Sequence, residues 1–133
     1  SLAMEAIFGK PSKEKLIEDA MKKISKKIKT NDDKVAFKNK LIENEKTFKA
    51  ALSSLKTLDK KLEKGTIAPK DYEKQRKLAY GIMKKTMIEF NVNINNLIDN
   101  AKKPTMDEYN DILPIILEIK SRVSKLKINA SNN

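Results

Sequence analysis

Apolar residues recur every three or four positions through most of the chain, which is the spacing of one face of an α-helix. Four stretches follow this pattern and predict helices beginning after Ser12, over 33–64, over 69–102 and from Thr105 onward. The stretch "NVNINN" at 91–96 is less clearly helical, because Ile88, Phe90, Val92 and Ile94 also alternate as in a strand. The chain offers no second strand to pair with them, so we retain the helix there.

The second predicted helix has a seven-residue repeat. Two positions of the repeat define an apolar seam, and a polar Asn44 stands within it, where a buried amide often fixes the register of packed helices. Four such heptads indicate a coiled-coil-like helix. The seam residues are Leu41, Phe48, Leu55 and Leu62 at one position, and Phe37, Asn44, Ala51 and Leu58 at the other.

Local signals mark where each helix begins and ends. Ser and Thr side chains are good N-caps, Gly suits the residue after a helix, and Pro suits the first turn. A proline further inside a helix kinks or divides it. The signals are Ser12, the "TNDD" of 30–33, Gly65, Pro69, a capping box from Thr105 to Glu108, and Pro114.

The corner between the second and third helices resembles the turn of SHOCT-type helical hairpins. The resemblance implies a helical hairpin and no activity, and Ala68 replaces the Ser or Thr usual in that pattern. The residues that carry it are Leu62, Gly65, Ile67, Tyr72 and Arg76.

Together these patterns predict an all-α protein, an antiparallel bundle of about four helices built on a long central, coiled-coil-like helical hairpin. At ~1.5 Å per residue the hairpin arms reach about 50 Å and the outer helices about 25–35 Å, so the hairpin tip near Gly65 projects beyond them. We expect a flexible segment at 1–11, one domain at 12–128 and a frayed tail at 129–133.

Composition narrows the function. The 133 residues contain no cysteine and no histidine, which removes disulfides, thiolate metal sites and the usual general base. No nucleophile, phosphate loop or cofactor motif is recognisable, so we expect no enzyme, cofactor, metal or small-molecule substrate. No apolar run reaches the roughly 18 residues of a membrane span and no signal peptide is recognisable, which favours a cytoplasmic protein.

Net charge is +11, and the surplus lies before residue 104. A basic face on the first helix is a solvated surface, a phosphate-binding surface or, less favoured, a foot on an anionic membrane. With 27 lysines but two arginines, nucleic acid would be bound by charge alone, and genome composition also explains the bias. The basic-face residues are Lys15, Lys22, Lys26 and Lys29.

The hairpin tip is the second candidate, because its leucines are either an exposed interaction site or satisfied between the two arms. Pairs of acidic residues, such as Asp59 with Glu63, are interpreted as surface ion pairs with neighbouring lysines. The tip residues are Leu58, Lys61, Leu62, Lys64, Lys70, Tyr72 and Arg76.

We therefore expect a non-enzymatic helical protein–protein interaction or assembly module that self-associates or binds a protein partner. The alternative function is sequence-nonspecific nucleic-acid binding through the lysine-rich face.

Overall fold

The computed structural model describes residues 12–93, 95, 97 and 106–128, and every regular element within them is helical. Four helices pack together, and a fifth of five residues leads into the last of them. The all-α prediction is confirmed for these residues, whereas the predicted segments 1–11 and 129–133 lie outside them. The helices are α1 (Lys13–Lys27), α2 (Asn31–Glu63), α3 (Pro69–Glu89), α4 (Met106–Asn110) and α5 (Ile112–Ser124).

Side-chain caps begin α1 after Ser12, as predicted, and α2 after Thr30, two residues before the predicted start at 33. The hydroxyl of Ser12 accepts the backbone N–H of Lys15 at 3.1 Å. Thr30 and Asp33 form a reciprocal capping box, because each side chain accepts the other residue's backbone N–H at 3.1 Å. These bonds satisfy backbone donors that have no partner within the helix, which fixes both helix starts.

The corner between α2 and α3 is closed by a glycine. Gly65 has a φ of 71°, and its N–H bonds the carbonyl of Leu62 while that of Thr66 bonds the carbonyl of Lys61. This is the Schellman arrangement, in which the residue after the helix is left-handed. Pro69 then opens α3, as predicted.

The third helix is shorter than the sequence predicts. It ends at Glu89, and Asn91 has a φ of 62° where the prediction continued the helix to 102. The N–H of Asn91 bonds Ile88 and that of Val92 bonds Met87, a second Schellman arrangement in which asparagine replaces glycine. Burial of Val92 against the core adds to this stop. The rest of the predicted helix falls mostly outside the described residues, as does the predicted cap Thr105.

The last predicted helix divides into α4 and α5. The division falls at Asp111, and Pro114 is the third residue of α5. A proline in the first turn removes an N–H that would have had no helical partner, so it is tolerated there. The predicted split is therefore present, three residues before the proline.

The core is built around α2, which contacts α3, α4 and α5. Leu41, Phe48 and Leu55 of its predicted seam are each no more than 1% exposed, whereas Leu62, the next in the repeat, is 39% exposed. α5 supplies four isoleucines and a valine to the same core, and α1 packs on α5. The apolar seam thus runs into the surface near the α2–α3 corner.

Charged contacts attach α5 to its neighbours. Lys120 donates to the buried Glu45 at 2.7 Å, and Lys49 lies 3.0 Å from the other oxygen of that carboxylate. Arg122 donates to Glu14 of α1 at 2.6 Å. The hydrogen bond from Lys120, followed by that from Lys49, lowers the pKa of Glu45 below its usual value.

The two helix-related glycines should respond to alanine in opposite directions. Gly81→Ala should stabilise the protein by about 0.5–1 kcal/mol, since Gly81 is inside α3 and nothing lies within 4 Å of an added Cβ. Gly65→Ala should destabilise it by about 1 kcal/mol because of its positive φ. Urea denaturation followed by circular dichroism measures both, and shifts of the same sign would contradict the assignment.

The Glu45 contact predicts a dependence of stability on pH. A carboxylate whose pKa is lowered on folding stabilises the fold above its unfolded pKa, and this contribution disappears as pH falls through the folded pKa. Glu45→Gln should therefore cost about 1 kcal/mol at pH 7, and the difference from wild type should narrow below pH ~4.5.

The matched control is Glu43→Gln, an exposed carboxylate on the same helix, which should change stability by less than about 0.5 kcal/mol at either pH. Urea denaturation at several pH values gives the comparison. A gap between Glu45→Gln and wild type that stays constant with pH would show that the carboxylate's charge is not involved.

Candidate interaction surface

A groove of about 470 Å³ runs between α2 and α3. At about 100° per residue, its lining residue Ser54 lies about 180° around α2 from Glu45, which contacts α5. The groove is therefore on the side of the α2–α3 pair that α5 does not cover. It is lined by Ala51, Ser53, Ser54, Thr57, Leu58, Lys61, Gln75, Leu78, Ala79 and Ile82.

The α3 wall of this groove is apolar and exposed. Leu78 is 64% exposed and Ile82 is 44% exposed, and their spacing of four residues places them one above the other on the helix. Ala51, Leu58 and Ala79 are buried at its floor. Exposed apolar side chains beside a buried apolar floor are a common feature of protein-binding surfaces.

The α2 wall is made of small side chains. The hydroxyl of Ser54 donates to the carbonyl of Ala50 at 3.1 Å, and that of Thr57 donates to the carbonyl of Ser53 at 3.2 Å. Because these hydroxyl protons are used within α2, a docked helix need not supply an acceptor for them. Small side chains also allow another helix to approach the α2 backbone closely.

The charges at the groove are mostly positive. Lys61 lines it and Lys64 lies one helical turn further on. On α3, Lys74 and Lys85 lie one turn to either side of the pair Leu78 and Ile82, with Asp71 and Glu89 further out on the same face. The lysines and Asp71 are exposed, and Glu89 is half-buried. We call the four lysines the basic rim; the defining residues are Lys61, Lys64, Lys74 and Lys85.

The predicted tip residues separate into two groups. Lys61, Lys64 and Lys70 are exposed, as is Leu62 in part. Leu58 and Arg76, however, are only 5% and 9% exposed, so they belong to the interior and not to an exposed surface. At this end of the hairpin the leucine seam is therefore largely buried between α2 and α3. Of the two predicted leucines, Leu62 remains partly exposed.

Tyr72 is also tied down. Its hydroxyl donates to Asp59 at 2.6 Å, and burial together with that carboxylate raises the pKa of Tyr72 to about 12. Asp59, for which the sequence predicts a surface ion pair with a neighbouring lysine, accepts this bond across the two helices. Tyr72 therefore holds α3 to α2 and is not free to contact a partner through its hydroxyl.

The four lysines of the predicted basic face are exposed, but they do not form one uniform patch. Lys15 lies 3.3 Å from Asp19, one turn along α1. Lys22 and Lys26 border a shallow depression with Arg122, whose guanidinium is engaged by Glu14 and Glu118. Lys29 follows the end of α1.

Asn44, predicted to fix register, is half-buried, and its amide nitrogen has no hydrogen-bond partner among the described residues. The hydroxyl of the buried Tyr109 likewise has none there, and its ring packs edge-on against Tyr80 with centroids 6.2 Å apart.

Within the described ranges no three acidic side chains gather into a possible metal site. None of the helices described is both long and apolar enough to cross a bilayer.

Sequence analysis missed Leu78 and Ile82. Both lie outside the apolar seam of α3, whose buried residues include Ala79, Met83 and Met87. Two large apolar residues spaced by four and displaced from the seam are a detectable signal for a second, exposed apolar stripe.

Searches against protein-family models, curated proteins and solved structures find no match to this chain.

Proposed function

We propose that this protein is a non-enzymatic helical protein–protein interaction module that binds its partner in the groove between α2 and α3. The observation that carries the proposal is the exposure of Leu78 and Ile82 beside a buried apolar floor. Burying a leucine or isoleucine side chain fully is worth about 1.5–3 kcal/mol, so covering this pair supplies a substantial driving force for association.

Several contacts support the finer architecture that we also propose, an antiparallel bundle with a coiled-coil-like α2–α3 hairpin. Tyr72 near the start of α3 bonds Asp59 near the end of α2. Lys120 of α5 bonds Glu45 of α2. Further along the chain, just after α5, the carbonyl of Leu126 accepts from Lys34, which lies nearer the start of α2. In these pairs the residue number rises along one helix as it falls along the other, as expected of antiparallel helices.

The sequence supports the absence of catalysis in this proposal. Histidine and cysteine are missing from all 133 residues, and these side chains are the most frequent general bases, thiol nucleophiles and soft metal ligands. The acidic residues with the clearest contacts, Glu45 and Asp59, are bonded to Lys120 and Tyr72. We accordingly propose a protein that needs no cofactor.

Self-association is one form of this function, and its salt dependence is predictable. Two copies meeting groove to groove bring their basic rims together, so screening by salt should strengthen the dimer. Analytical ultracentrifugation over about a hundredfold range of concentration, at about 50 and 500 mM salt, measures this. Leu78→Asp with Ile82→Asp should abolish it.

Ile88→Asp is the matched control, because Ile88 is 60% exposed on the same helix but does not line the groove. It should leave self-association within about twofold of wild type, since surface changes outside a contact have small effects. Equal loss in the control would place the contact elsewhere, and a monomer at every concentration and salt would contradict self-association.

The second candidate function is nucleic-acid binding by charge, favoured by the exposure of Lys22 and Lys26 beside Arg122. Binding through lysine–phosphate contacts should weaken steeply between about 50 and 200 mM salt. Replacing Lys22, Lys26 and Lys29 by Glu should abolish a gel shift with duplex DNA while leaving groove-dependent association intact. A shift that survives either the salt or the substitutions would contradict this mechanism.

A further inference from the structure

The charge of the groove distinguishes its possible occupants. None of the ten lining residues is acidic, one is Lys61, and the basic rim adds three further lysines within a helical turn. Asp71 and Glu89 are the acidic residues on the same α3 face, and Glu89 lies two turns beyond Ile82. With a net charge of +11 on the chain as a whole, the apolar groove is set in a positive field.

A second copy of this chain is poorly matched to that field. Its own groove would place lysines opposite lysines, and like charges brought together across an interface reduce affinity and suppress the pairing. A partner that places carboxylates beside the lysines and apolar side chains against Leu78 and Ile82 instead gains from both charge attraction and apolar burial. Charge complementarity therefore favours an acidic partner over a copy of this chain.

The groove is long enough for about three turns of an α-helix. Its lining on α2 extends from Ala51 to Lys61, which is about 15 Å or three helical turns. One wall carries Ser54 and Thr57, whose hydroxyls already donate within α2, and the other carries Leu78 and Ile82 together with Gln75. A helix that lays an apolar stripe between such walls uses residues at i, i+3, i+4 and i+7.

We propose that the groove binds an amphipathic helix of another protein whose apolar stripe is flanked by Asp or Glu on both sides. This inference rests on the proposed function and specifies the partner. The apolar stripe covers Leu78 and Ile82, and the flanking carboxylates lie beside Lys61 and Lys64 of α2 and Lys74 and Lys85 of α3. The pairing is helix-in-groove recognition with electrostatic steering.

A pair of designed peptides tests the proposal with the intact chain. Each is a fluorescein-labelled helix of about 18 residues with the same leucine stripe, flanked by Glu in one peptide and by Lys in the other. Fluorescence anisotropy at about 50 and 200 mM salt should show the Glu peptide binding at least about tenfold more tightly at low salt. Salt should weaken this binding, the opposite of its expected effect on self-association.

Matched charge reversals locate the contact. Lys61→Glu with Lys85→Glu should weaken the Glu peptide at least about tenfold and improve the Lys peptide. Lys22→Glu with Lys26→Glu changes the net charge equally on α1 and should alter affinity by less than about threefold, through the long-range field alone. Equal effects of the two pairs would overturn the proposed location.

The apolar part of the contact has its own pair of variants. Leu78→Asp with Ile82→Asp should eliminate binding of the Glu peptide, while Ile88→Asp should retain it. Circular dichroism of each variant confirms that the helices remain folded, as the exposure of all three positions leads us to expect. Binding that survives Leu78→Asp with Ile82→Asp would overturn the proposal.

Failure of this inference can be told from failure of the proposed function. If the Glu peptide does not bind but groove-dependent self-association is found, the acidic helix is wrong and the interaction module stands. If neither is found, both are overturned. If the Glu peptide fails and vesicles containing phosphatidylserine bind in a manner that Leu78→Asp with Ile82→Asp removes, the groove faces a membrane and the acidic helix is again wrong.

Discussion

The structure depends on which sides of α2 are covered by the neighbouring helices. Leu41, Phe48 and Leu55 are completely buried because α3 and α5 both pack on this helix. These helices and the short α4 do not surround α2, and its open side carries Ser54 and Thr57 rather than large apolar residues. The open side of α2 therefore presents hydroxyl groups to water, whereas the adjacent wall on α3 exposes the apolar Leu78 and Ile82.

That asymmetry makes the groove a candidate for recognition. A wall of small residues with internally bonded hydroxyls accepts close approach, and the exposed Leu78 and Ile82 provide the apolar area that association removes from water. Under the proposed function, the basic rim disfavours pairing of this surface with itself, because lysines repel one another across a symmetric contact. The proposal thus assigns affinity to the apolar area and choice of partner to the charge.

Helix starts were the most predictable features, because they depend on residues close in sequence. Ser12 caps α1 as predicted, a residue of the predicted capping stretch 30–33 caps α2, and Gly65 takes the positive φ expected of a residue after a helix. Asn91 ends α3 in the same way, but the apolar repeat continuing beyond it concealed the signal. Burial of Val92 against the core favours the stop, and that burial is a tertiary property.

The sequence by itself determined the helical class, the positions of most helix ends and the positive charge, since these follow from periodicity, capping and composition. Only the tertiary structure decided which apolar residues are hidden. It buried Leu58 and Arg76 of the predicted tip and left Leu78 and Ile82 exposed, because exposure depends on which side of a helix pair the remaining helices cover. A periodic pattern reports that a helix has an apolar face; it does not report how many partners that face will have.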